Sequence, residues 1–186
     1  MSMQCFTNHL LIAMPSLADS NFSRTVTLIC EHSEHGALGV VINRPTEVRL
    51  QELFDHLELT TANSAVASRT VYAGGPIQLE RGFILHTPLG EWESTLKIDV
   101  ELGLTTSLDI LTAVAADEGP ERSLIMLGYA GWGAGQLEQE IANNAWLTVP
   151  NDADILFELP VEQRWQAAAR KLGVDLNLIA GDAGHA

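Results

Sequence analysis

The run SLIMLGYAG, Ser123 to Gly131, constrains this chain more than any other stretch. It is almost uninterrupted apolar sequence, stopped upstream by Gly119-Pro120 and running downstream into further glycines. At this length it reads as a strand, and its lack of polar positions places it at the centre of a sheet.

The elements around it decide what kind of sheet that is. RTVTLICEH alternates and is rich in β-branched residues, so Thr25 to His32 reads as a strand. SEHG follows as a turn and ALGVVIN as a second strand, which together make a hairpin. That strand ends at Asn43-Arg44-Pro45, where the proline has no amide hydrogen and biases Arg44 away from helix. RLQELFDHL then places Leu50, Leu53, Phe54 and Leu57 on one helical face. TTANSAVASR reads as a polar connector, and TVYAGGP, GFILHTP and STLKIDV as strands. SLDILTAVAADEGP reads as a helix stopped by Gly119-Pro120. GAGQLEQEIANN reads as another, followed by WLTVP and DILFELP. VEQRWQAAARKLG is the last helix, with Arg170 and Lys171 in its final turn before Gly173. VDLNLIAGDAGHA fades into a tail, expected to be flexible from about residue 180. About seven or more strands and about four helices result, without regular βαβ alternation. This predicts an α+β fold with a largely antiparallel or mixed sheet in one domain spanning 1–186.

Charge narrows the partners. The chain carries a formal net charge of −14, with ten basic residues scattered from Arg24 to Lys171. Affinity for a phosphate backbone rests on Lys and Arg contacts, so direct nucleic-acid binding is disfavoured, as is an anionic membrane surface. Hydrophobic residues at 46% are enough for a sizeable core, and no apolar run approaches the roughly 18 residues that span a bilayer. MSMQCFTNHLLIAMP has no Lys or Arg before its short apolar run and reads as a first strand rather than an export leader. With two cysteines, Cys5 and Cys30, a reducing cytoplasm is the expected compartment.

The segment GYAGWGAGQLEQEI, Gly128 to Ile141, is the obvious place to look for a ligand. A strand, a glycine turn and a helix N-terminus can bind phosphate through free amides. Gly131, Gly133 and Gly135 are spaced G-x-G-x-G, however, and no Gly-Lys-Ser/Thr follows. Glu138 and Glu140 occupy the first turns of the helix, where they satisfy its dipole and repel an anion. A fold-making turn is the simpler reading, with Tyr129, Trp132, Gln136 and Glu138 able to edge a small polar pocket.

Other chemistry is sparse. Cys30, His32 and His35 in CEHSEH fall short of the four ligands of a structural zinc site, so no metal or cofactor is expected. There is no G-x-S-x-G elbow, and Cys30 reads as a small buried hydrophobe. Arg44 suits an ion pair or carbonyl clamp that fixes a strand end, ahead of a ligand. His86 sits alone on an apolar strand.

GALGVVINRP, VYAGGPIQLERGFILHT and GYAGWGAGQLEQEIANNAWL occur in this order along the chain, after the opening HLLIAMPSLADSNFSRTVTLICEH. In these stretches, which cover nearly the whole chain, the sequence resembles the YqgE/AlgH family of bacterial proteins. The resemblance implies one domain with a strongly bent, partly barrel-like sheet flanked by helices. It also implies a cytosolic protein of uncharacterised function, one branch of the family being labelled a transcriptional regulator of alginate synthesis. It carries over no catalytic residue. The leading expectation is a non-enzymatic binding or regulatory module with a protein or small-molecule partner. Its expected surface joins Asn43, Arg44, Gly74, Gly75, Trp132, Gln136 and Glu138. The competing expectation is a hydrolase-type enzyme with a polar cleft around Arg44, His86 and Glu138.

Overall fold

The computed structural model describes residues 4–17 and 19–183. The strands are β1 (His9–Ala13), β2 (Val26–Ser33), β3 (Gly36–Val41), β4 (Pro45–Arg49), β5 (Thr70–Ala73), β6 (Ile77–Thr87), β7 (Thr95–Lys97), β8 (Gly103–Thr105), β9 (Arg122–Gly133) and β10 (Trp146–Pro150). They join in one sheet ordered β10-β1-β2-β3-β9-β6-β8-β7, with β4 and β5 branching off beside β9. Every pairing is antiparallel except β5 with β9. The sheet curls into a half-barrel, so the fold is α+β with a bent sheet.

β9 is central, as its apolar run predicts, and it supplies side chains to both faces. Leu124 and Met126 enter the largest core cluster, whereas Ile125 enters a second one. Strict alternation would hold that phase to the end of the strand. Gly128, at φ 79, breaks it. There β6 carries an insertion: Ile77 opposes Tyr129 and Gly82 opposes Leu127, so residues 78–81 bulge out opposite Gly128 alone. Beyond the break Tyr129 packs on the first cluster, and Ala130 and Trp132 belong to a third. A bulge of this kind re-aims the side chains that follow it.

The helices cover these clusters. α1 (Leu50–His56) and α3 (Leu108–Ala115) close the second cluster through Leu50, Phe54, Ile110 and Val114. α4 (Gln136–Ala142) closes the third through Leu137. α5 (Ala153–Phe157), α6 (Arg164–Arg170) and α7 (Leu176–Ala183) pack on the first through Leu156, Trp165 and Leu176.

Several local readings change. The connector TTANSAVASR contains α2 (Ser64–Ala67), nucleated by Asn63, whose side chain accepts from the Ala65 and Val66 amides. DILFELP is mostly α5, capped by Asp152 on the Asp154 amide. The C-terminal tail is helical to Ala183, and its last residues, 184–186, lie outside those described. β9 runs on through Gly133, so Gly131 and Gly133 are strand residues and the turn shrinks to Ala134-Gly135. No described helix is long and apolar enough to cross a membrane.

Candidate functional site

The seven residues of the expected surface fall into two groups at opposite ends of β3. Gly36 opposes Gly133 at one end, and Arg44 lies just beyond Val41 at the other. The groups approach each other most closely along β9, where Gly75 lies against Tyr129, three residues or roughly 10 Å of strand from Trp132.

The first group is a clasp. Trp132 is 6% exposed, and its Nε1 donates to Glu140 Oε1 at 3.1 Å. Trp146 Nε1 donates to the same oxygen at 3.0 Å, and Gln136 Nε2 donates to Glu140 Oε2 at 2.9 Å. Gln136 Oε1 accepts from the Gly133 amide. The indoles meet edge to face, 6.2 Å between centroids, with Phe22 against both. Glu138 pairs with Nε2 of His32, whose Nδ1 accepts from the Phe6 amide. Desolvation opposes ionisation of Glu138, but its own main-chain N–H and His32 outweigh it and hold the carboxyl below its ordinary value. Charge-assisted hydrogen bonds of this sort contribute about 1.5–3 kcal/mol each. Glu140, which the expected surface omitted, is the hub. Its spacing from Gln136, one helical turn, is the signal in the sequence that points to it.

The second group joins strand ends. Asn43 accepts from the Val26 amide at 2.9 Å and donates to the Arg24 carbonyl at 3.0 Å. Arg44 donates through its two terminal nitrogens to the carbonyls of Asn21 and Ser23, at 2.6 and 3.0 Å. It is thus a carbonyl clamp. Burial lowers its pKa from the ordinary value, against the pull of Asp19. Gly74 and Gly75 run against β9 without room for a side chain: a Cβ on Gly75, at φ 154, would sit 2.2 Å from the Tyr129 carbonyl. Arg44, Gly75, Pro76 and the 61%-exposed Leu79 border a hollow of about 290 Å³.

The cleft expected to unite Arg44, His86 and Glu138 is not formed. His86 is fully buried, with Nδ1 on the Pro88 carbonyl at 3.0 Å and Nε2 on the Thr105 hydroxyl at 2.6 Å. Thr105 continues to Thr95 at 2.7 Å, so the chain of bonds pins β6, β8 and β7 together. Burial lowers the His86 pKa, against the Pro88 hydrogen bond. Cys30 is buried, which pushes its thiol up, away from the thiolate a nucleophile needs. His35 stays in the exposed turn, apart from Cys30 and His32 in their strand.

A larger hollow, about 430 Å³, opens where β3, β9, β6, β8 and β7 lie side by side. Its floor is Leu38, Phe83, Leu96 and Leu104, all in or against the first core cluster. Arg81, Ser94, Thr106 and Tyr129 supply the polar atoms around it. Thr95 also lines the hollow, but its hydroxyl is engaged by that of Thr105. Arg81 comes from the β6 bulge, and its guanidinium sits 5.3 Å from the Phe83 ring centroid. The expected surface included none of these residues. They are far apart in sequence, and only the curl and the bulge bring them together.

A model of the AlgH-like family matches residues 10–177. The chain belongs to the AlgH-like family. A UPF0301 protein of Thioalkalivibrio sulfidiphilus is 58% identical over 181 residues, covering 97% of both chains. One of Nitrosococcus oceani is 52% identical with the same coverage. Among solved structures, the AlgH protein of Pseudomonas aeruginosa is 50% identical and superposes with a TM-score of 0.81, covering 100% of this chain and 98% of that one. A Corynebacterium diphtheriae protein, 21% identical, shares the fold at a TM-score of 0.73, covering 97% of this chain and 94% of that one. The AlgH-like match runs from Leu10 in β1 to Asn177 in α7, so it takes in both groups of motif residues and the five-stranded hollow.

Proposed function

We propose that this AlgH-like chain is a non-enzymatic binding module with an indirect regulatory role, and that the five-stranded hollow holds its small-molecule ligand. The observation that carries the reading is the hollow's make-up: an apolar floor continuous with the core, a few polar groups around it, and a volume of about 430 Å³. Ligand sites have this composition, in the range of roughly 300–1,000 Å³. No His, Cys, Asp or Glu lines it, so it holds no imidazole or carboxylate base and no thiol nucleophile. The formal net charge of −14 supports a regulatory role exerted through a ligand or protein partner rather than by direct contact with nucleic acid.

Of the surface expected from the sequence, Arg44 and Gly75 remain proposed as part of a contact for a protein partner, with the buried Gly74 shaping the backbone beneath them. The exposed Leu79 at the lip of their hollow supports that second role.

The test is native mass spectrometry of the protein purified gently from a bacterial cytosol, comparing wild type with Leu96→Trp, which fills the hollow. A small molecule retained by wild type and absent from the folded variant supports the proposal. A ligand retained equally by both overturns the assignment to this hollow.

A further inference from the structure

The chemistry of the hollow narrows what it takes. Arg81 is its only charged lining residue, and no carboxylate stands within ion-pair distance of it among the described residues. Its one hydrogen bond is from Nη1 to Gln78 Oε1 at 3.2 Å, which leaves Nε and Nη2 uncommitted. Stacking on Phe83 holds the guanidinium over the edge of the apolar floor. The hydroxyls of Ser94, Thr106 and Tyr129 have no hydrogen-bond partner among the described residues. One cation and three free hydroxyl donors therefore surround an apolar surface.

That inventory is rich in donors, and a carboxylate is the acceptor that matches it, above all across an arginine fork. The protein's overall negative charge does not forbid this. At physiological ionic strength fields are screened over about 8 Å, so a contact partner outweighs remote acids. The same charge argues against polyanions, because a single arginine cannot offset several negative charges in an acidic protein. The floor of Leu38, Phe83, Leu96 and Leu104 requires an apolar body behind the anionic head.

We infer that the hollow binds a small monocarboxylate with an apolar body, its carboxylate on Arg81 and the neighbouring hydroxyls and its body on the leucines and Phe83. This rests on the proposed binding function of the same hollow.

Benzoate, benzyl alcohol and benzylamine share one body and differ in their heads, so they separate the two claims. Each is titrated into the full chain while backbone amide shifts are followed by NMR. Benzoate is expected to shift residues 81–83, 94–96, 104–106 and 129, and to bind at least about tenfold more tightly than the other two. Arg81→Gln is expected to remove that preference while leaving benzyl alcohol binding within about twofold. Arg81→Lys is expected to restore part of it, and the benzoate affinity is expected to fall with added salt. If benzyl alcohol or benzylamine binds these residues as well as benzoate does, or if Arg81→Gln leaves benzoate binding unchanged, the carboxylate assignment is wrong and the hollow remains a site of another kind. If none of the three shifts these residues up to roughly 20 mM, the hollow is not a site for ligands of this size, and both readings fall.

Discussion

The clasp around Glu140 and the hollow beside Arg81 lie on the same strand, β9, and have opposite characters. In the clasp Glu140 joins the two indoles and Gln136, while His32 holds Glu138. In the hollow Arg81 has Gln78 alone as a hydrogen-bond acceptor, and three hydroxyls have none among the described residues, around a floor continuous with the core. The clasp is conspicuous in the sequence because close packing demands unusual residues there. The hollow is inconspicuous because arginine, serine, threonine and leucine are ordinary. Conspicuous residues can therefore mark where a backbone is constrained, while binding capacity lies where polar groups are left unpaired.

The largest effect that can break this contrast is expected at Gly75→Ala. A Cβ there would meet the Tyr129 main chain at 2.2 Å with φ at 154. Loss of more than about 3 kcal/mol in urea denaturation, or failure to fold, is expected. A mild effect would mean that this corner is adaptable and that its glycine serves something other than packing. Glu140→Ala comes next, because it strips the acceptor from two indole N–H groups. About 2–4 kcal/mol of destabilisation is expected, with Glu140→Gln recovering part of it. If Glu140→Ala is neutral in stability but abolishes partner binding, the clasp is a recognition site and the contrast collapses.

Gly135→Ala sharpens the same point on a smaller scale. Gly135 has φ 74 but nothing within 4 Å of an added Cβ, so only backbone strain opposes a side chain. A cost of about 1 kcal/mol is expected, and Gly135→Asn should cost less.

The smallest effect is set by pH at His86. Its folded pKa lies below the ordinary value of 6.5, so at mildly acidic pH the unfolded chain binds the proton more readily than the folded one. Stability is full above about pH 6.5, falls as the pH drops below it, and levels off beneath the folded pKa. The chemical denaturation midpoint of wild type should decline between pH 7.5 and 5.5, and His86→Gln should flatten that decline. An unchanged slope in the variant would assign it to another histidine.

Much of the architecture was legible along the chain. The apolar run of β9 announced a central strand because a strand covered on both faces has no polar positions to show. The periodic leucines of α1 and the glycine-proline stop after α3 announced helices for equally local reasons. α2 and α5 were missed because helices of four and five residues are too short for periodicity to register. They are held by single side-chain caps, Asn63 and Asp152. The candidate site was hardly legible at all. The carbonyl clamp was one of the readings open to Arg44, since it follows from chemistry at one position. Nothing linked Arg81 to Ser94, Thr106 and Tyr129.

What the sequence determined by itself was an α+β chain of the AlgH-like family, with a largely antiparallel sheet built around β9 and a formal net charge of −14. These follow from local propensity, hydrophobic patterning and summed charge, all of which act along the chain. What only the tertiary structure decided was the division of the motif residues between two ends of β3, the pairing of both indoles on Glu140, and the hollow. Those depend on sheet curvature and on the bulge opposite Gly128. The bulge shifts the side-chain phase of two neighbouring strands, and a phase shift depends on the register between strands, which neither strand's sequence carries alone.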